Sequence, residues 1–196
     1  MITVTGTGSA HGKPDLALVN LGVESRHADL SQAMNDANTT IQRVQNVLHG
    51  AGIAAVDVQT SQFNINRFED PAPNSLFVVT HMLHITVRHT AELGAVIQAA
   101  VDAGANQMHG LDFGVSDPGT LEQEARQLAL EDARTRAQAL ADGLGLTLGN
   151  PVSVTEGHGG GLPVPMPKMA LRSSGPAISE GQLSVVVQVT VVYEMH

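Results

Sequence analysis

The chain contains no cysteine and no tryptophan. Without cysteine there are no disulfides, zinc ribbons or thiol nucleophiles. Aromatic residues are only 3 % of the sequence, so a core must be built from Val, Leu, Ile, Ala and Met. Basic residues are scarce as well: 10 Lys and Arg stand against 19 Asp and Glu, a formal net charge of −9. A cationic footprint for nucleic acid or anionic lipid is therefore not expected. No apolar run approaches the roughly 18–20 residues that cross a bilayer as a helix. The opening MITVTGTG runs straight into strand-like alternation, with neither the basic nor the apolar region of a signal peptide.

Hydrophobic residues make up 42 % of the 196, enough for one domain spanning residues 1–196. ITVTGTG alternates Ile2 and Val4 with Thr3 and Thr5, the pattern of a half-buried strand. LALVNLGVES, from Leu16 to Ser25, reads as a longer strand. Leu18 and Val23 differ in parity there, so Gly22 is expected to mark a bulge. Asp29 can cap a helix whose apolar stripe is Leu30, Ala33, Met34, Ala37, Ile41, Val44 and Leu48. VDVQTSQFNI and LFVVTHMLHITVRH read as strands. Thr90 can cap a second helix with Leu93, Val96, Ile97, Ala100 and Val101 on one face.

NQMHGLDFGVS follows as a strand, and Asp117-Pro118 then open the longest helix as N-cap and first residue. Its predicted buried face is Leu121, Ala125, Leu128, Ala129, Ala133, Ala137, Leu140 and Leu144. Asp112, Asp117, Glu122 and Glu124 gather round its start, which capping and the helix dipole account for. NPVSVTE and QLSVVVQVTVVYE close the chain as strands. The element order implies an α+β fold. Its core is β-α-β-β-α-β, the split βαβ of ferredoxin-like folds, extended by the long helix and extra strands in an antiparallel-rich sheet.

Two stretches invite functional readings. HMLHITVRH places three of the nine histidines in one segment. Strand alternation puts His81 and His89 on one face and His84 on the other, and eight positions span about 26 Å. Zinc holds its ligands at about 2.0–2.1 Å, so one ion cannot take all three. A site using His81 or His84 would need a further group such as His109, or a second subunit. The other stretch is GHGGGLPVPMPKMALRSSGPAISEG, an arm over about residues 157–181 whose alternating prolines suit neither a helix nor a central strand. Its Leu162, Val164, Met166 and Met169, with Phe77 and His81, are the expected contacts to another subunit or partner.

Motifs for chemistry are missing from the sequence. GHGGG lacks a following GK[ST], GTGSAHG does not fit GxGxxG, and no GxSxG occurs. No catalytic residue, metal or cofactor is expected.

Five segments in order resemble the SIMPL-domain family. They are ITVTGTGSAHGKPDLALVNLGVES, AGIAAVDVQTSQFNI, DAGANQMHGLDFGVSD, EARQLALEDARTRAQALADGLGLTLG and SEGQLSVVVQVTVVYEM. The chain departs from the pattern at Leu76-Phe77, where family members often carry Gly-Tyr. The resemblance implies a non-enzymatic bacterial protein of the periplasm or cell envelope, linked with stress responses including oxidative stress. Some members form ring- or channel-like homo-oligomers, so self-assembly or a protein partner is expected, with no nucleic acid and no membrane-spanning segment. The alternatives are a histidine-based metal-binding envelope protein and, for location, the cytoplasm.

Overall fold

The structure is a computed structural model that describes residues 1–69, 75–157, 164–166 and 181–196. It divides into two compact units, Asp15–Gly114 and a second made of Met1–Pro14 with Val115–His196.

The Asp15–Gly114 unit contains β2 (Leu16–His27), α1 (Leu30–Gly50), β3 (Val58–Glu69), β4 (Ser75–Val87), α2 (Leu93–Asp102) and β5 (Gln107–Gly114). β1 (Ile2–Gly12) precedes them in the other unit. The strands form one antiparallel sheet in the order β3-β4-β2-β5. Asp29 caps α1 as expected, accepting from Gln32 N at 3.0 Å. The helix stops at Ala51, and Gly52 takes φ 86°, a conformation that glycine adopts without a Cβ clash. Alternation puts Ala17, Val19, Leu21 and Val23 of β2 beside Leu83, Ile85 and Val87 of β4 in one buried cluster. Ile41, Val44 and Leu48 of α1 and Leu93, Val96 and Ala100 of α2 complete it. Each such Val, Leu or Ile contributes on the order of 1.5–3 kcal/mol by leaving water.

The bulge in β2 lies elsewhere than expected. β2 pairs with β4 without interruption through Gly22, and the shift is against β5, between Val19 and Leu21. Gly22 is instead a packing position, because the Met82 sulfur sits 2.7 Å from where its Cβ would be. His109 and Gly110 together stand opposite Asn20, one residue in excess on β5, and Gly110 supplies φ 77°. Asn106 closes this end of the sheet with a side chain that mimics a neighbouring strand. Its Oδ1 accepts from Glu24 N at 2.7 Å and its Nδ2 donates to Glu24 O at 2.9 Å. The two ends of the unit meet, since Asp15 N donates to Gly114 O at 3.0 Å and Leu16 pairs with Gly114.

The second unit contains β1, α3 (Pro118–Gly143), β6 (Leu148–Glu156), β7 (Val164–Met166) and β8 (Gln182–Met195). β8 is central, flanked by β1 and β6, and β7 also pairs with β8. Leu183, Val185, Val187, Val189, Val191 and Tyr193 are all buried, as their shared parity predicts. Asp117 caps α3, accepting from Gly119 N at 3.1 Å and from the Thr120 hydroxyl at 2.8 Å.

α3 buries the alanines of the expected stripe but not all of its leucines. Ala125, Ala129, Ala133, Ala137 and Ala141 are the buried residues, while Leu128, Leu140 and Leu144 are exposed. The cause lies in β1, where Gly6 and Gly8 share the helix-facing parity with Val4 and Ala10. A Cβ at Gly6 would stand 2.5 Å from Ala133 N and 2.7 Å from Ala133 Cβ. The helix lies so close that only alanine fits beneath it, and the leucines rotate to the flanks. Both flanks are tied down. Thr7 N donates to Asp132 Oδ2 at 2.9 Å, and Arg126 donates to both Glu156 carboxylate oxygens at 2.7 and 3.0 Å. The Thr7 N–H and the neighbouring Arg136 hold the Asp132 carboxyl below its ordinary range.

Candidate functional site

β4 carries the histidine segment as far as Val87, and His89 falls outside the strand, at the N-cap position of the 3-10 turn Thr90–Glu92. His81 projects from the face that bears Val79 and Leu83. Its Nε2 lies 3.2 Å from Thr60 Oγ1, and the Phe63 ring meets it edge-on at 5.2 Å between centroids. Its Nδ1 is buried with no hydrogen-bond partner among the described residues. Burial pushes the His81 pKa below its ordinary value, because the low-dielectric surroundings disfavour the imidazolium.

His84 projects from the opposite face and bonds through Nδ1 to Asn20 Oδ1 at 3.0 Å. His109 lies in the β5 bulge opposite Asn20, on an exposed residue. The structure thus separates His81 from His84 across the sheet. Among the described residues no three His, Asp or Glu side chains gather as metal ligands do.

Phe77 is half-buried beside Leu30 and Met34, with the Arg67 guanidinium carbon 5.7 Å above its ring. Leu162 and Met169 lie outside the described residues. Val164 and Met166 lie in β7, whose backbone pairs with Ser184 and Gln182 of β8. Pro165 between them fits an edge strand, where one side of the backbone needs no N–H.

Two features escaped the sequence reading. The first is Asp57, buried at the start of β3. Arg88 clamps it bidentately, donating from Nε and Nη2 at 2.8 and 2.7 Å. That pairing holds the Asp57 carboxyl below its ordinary range, against the opposing effect of burial. A shallow cavity of about 230 Å³ borders the pair, lined by Ile53, Thr86, His89 and Glu92 among others. A larger one of about 400 Å³ opens between α1 and the start of β3, at Gln45, Asn46, His49, Ile53, Ala55 and Val58.

The second feature is the outer edge of β3. It is the last strand of its sheet among the described residues, and Phe63, Ile65 and Phe68 are 43 %, 42 % and 59 % exposed. Its signal in the sequence is VQTSQFNIN, nine residues from Val58 to Asn66 with no charge.

Among the described residues no helix is long and apolar enough to cross a membrane. The sequence matches the family model SIMPL, described as a protein of unknown function (DUF541), over residues 2–193. It is 30 % identical to the 26 kDa periplasmic immunogenic protein of Brucella melitensis, across 99 % of this chain and 84 % of that protein. It is 24 % identical to the uncharacterized protein YggE of Escherichia coli K12, across 91 % of this chain and 74 % of that one. A third relative, the uncharacterized protein YggE of Edwardsiella ictaluri, is 24 % identical across 78 % of this chain and 66 % of its own length. The match runs through both compact units, and on that breadth the chain belongs to the SIMPL family.

Proposed function

We propose that this chain is a non-enzymatic protein of the bacterial periplasm or cell envelope that works by self-assembly, with stress response as its physiological setting. The observation that carries self-assembly is the exposed apolar edge of β3, on a chain whose aromatic residues number only five, four Phe and one Tyr. Aromatic side chains left in water at a strand edge gain by docking, since interface cores are enriched in them. The similarity to the periplasmic immunogenic protein of Brucella supports the periplasm. The stress link rests on the family resemblance of the sequence.

The strand order β3-β4-β2-β5, with α1 and α2 as crossovers, supports reading Asp15–Gly114 as a split βαβ unit of ferredoxin-like type. The family match across 2–193 supports treating both units as one SIMPL domain.

Light scattering on the purified chain tests self-assembly. A discrete oligomer whose mass falls on dilution is expected. A monomer at every concentration from micromolar to millimolar would overturn it. Fractionation of cells expressing the native gene tests location, with recovery in the osmotic-shock fluid expected and recovery with cytoplasmic markers overturning it.

A further inference from the structure

The two sheets present five strand edges among the described residues, and four of them are guarded. β1 has its Thr7 N–H occupied by Asp132 at 2.9 Å. β6 is broken by register shifts on either side of Pro151, and β7 carries Pro165. β5 is short, eight residues, and bulged at Gly110. Proline, bulges and occupied edge groups are the devices by which sheets avoid edge-to-edge pairing. β3 is twelve residues long, and its one irregularity, between Thr60 and Gln62, leaves the stretch from Gln62 onward in regular register with β4.

We propose that β3 is the edge through which two copies of this chain join, pairing antiparallel with β3 of the partner about a twofold axis at Asn64. The inference rests on the self-assembly reading above and names the surface. A strand that pairs with its own copy places residue i opposite residue j and j opposite i. About Asn64, Phe63 meets Ile65 of the partner subunit, and the reciprocal pair forms on the other side of the axis. Gln62 meets Asn66 of the partner subunit on the opposite face, so a row of amides forms there. A twofold at Phe63 would set Ile65 against a serine, and one at Ile65 would set Phe63 against an arginine. Only the Asn64 register pairs aromatic with β-branched side chains twice, the favourable cross-strand combination.

Charge favours the same place. Two copies each carrying −9 repel over most of their surface, and residues 58–66 bring no charge to the junction. Phe63, Ile65 and Phe68, at 43 %, 42 % and 59 % exposure, offer about 250–300 Å² of side chain per copy. Both copies together, with the backbone edge and the amide row added, approach the roughly 1,000 Å² at which a specific interface begins.

The absence of cysteine makes the test clean, because one introduced thiol is the only one present. Directly opposed antiparallel residues lie about 4.5–5.5 Å apart at Cα, within the range that a disulfide bridges. Asn64→Cys should therefore give a covalent dimer under mild oxidation. Asn66→Cys alone should not, whereas a mixture of Gln62→Cys and Asn66→Cys chains should give the mixed dimer. Ile65→Lys and Phe63→Glu should each weaken association at least tenfold, and mixing the two should restore it. Far-UV circular dichroism on each variant checks that it is folded. A wild-type oligomer in which folded Asn64→Cys fails to cross-link would overturn the β3 edge and leave self-assembly standing. A wild-type monomer would overturn both.

Discussion

Gly6→Ala is the sharpest test of why α3 and β1 have the sequences they have. The added Cβ would meet the Ala129 carbonyl oxygen, Ala133 N at 2.5 Å and Ala133 Cβ at 2.7 Å. Ordinary carbon contacts lie at about 3.5–4.0 Å, so the helix must retreat by about 1 Å. Two of the three atoms met are backbone and cannot swing aside. A gap of about 0.5–1 Å forfeits a quarter to a half of each contact, and the gap would run beneath five alanines that are fully buried. The retreat would also stretch the bond from Thr7 N to Asp132, now 2.9 Å. Overpacking costs about 1–3 kcal/mol, and a backbone collision belongs at the upper end, about 3 kcal/mol. At about 2–4 °C per kcal/mol for a chain of this size, Tm should fall by about 6–12 °C. Thermal melts followed by circular dichroism read this directly. Gly94→Ala is the control, because its Cβ would meet nothing within 4 Å and alanine is the better helix former by up to ~1 kcal/mol; it should melt at or above the wild-type temperature. A Gly6→Ala protein melting within about 2 °C of wild type would refute the close-approach account.

Asn106→Ala removes both side-chain bonds to the Glu24 backbone and should lower stability by about 1–3 kcal/mol, read as a shifted urea midpoint with an unchanged slope. Asp57→Ala deletes the acceptor of the Arg88 fork; the arginine left behind is largely exposed, so the loss should be about 1–2 kcal/mol rather than the larger penalty of a stranded buried charge. The His81 pKa in the folded chain lies below its ordinary 6.5, so the unfolded state takes up the proton first as pH falls. Stability from this group is therefore intact above about pH 6.5 and declines below it; Tm measured from pH 7.5 to 5 should drop less in His81→Gln than in wild type, and equal slopes would remove His81 as the cause. Asp57 acts lower on the scale: its contribution is present above 3.8 and is lost as pH falls through its depressed folded value, so Asp57→Asn should flatten the acid limb of the same profile.

Much of this architecture was legible because local chemistry and tertiary packing agree. Asp29 and Asp117 cap their helices as written, and the Leu183–Tyr193 alternation fixes the buried face of β8. In α3 the alanines were placed correctly and Leu128, Leu140 and Leu144 were not, because hydrophobicity ranks leucine above alanine, whereas the gap between helix and sheet is set by Gly6 and Gly8, more than a hundred residues away. The readable signal was two glycines of one parity in a strand, matched by alanines every four residues in a helix. The β2 bulge was misplaced for a related reason. Gly22 yields to Met82, and the irregularity belongs to the β5 side, at Gly110. VDVQTSQFNI was recognisable as a strand, but its position at an edge depends on strand order, which its own residues do not encode. Parity separated His81 from His84 correctly but wrongly kept His89 in the strand, and the buried Nδ1 of His81 beside Phe63 depends on tertiary packing.

The bond from Asp15 N to Gly114 O bears on how the chain reaches its fold. Pairing β1 with β8 demands that Met1–Pro14 find a segment beyond residue 180, across an intervening stretch of about 100 residues in Asp15–Gly114. Closing a flexible loop costs about 0.6 kcal/mol for each doubling of its length. Once β2 and β5 have brought Asp15 to Gly114, the loop of roughly 170 residues between Gly12 and Leu183 shortens to roughly 70, and closure becomes cheaper by about 0.8 kcal/mol. The inserted unit thus acts as a clasp: its closure favours the pairing of β1 with β8 by bringing the two flanking segments of chain together.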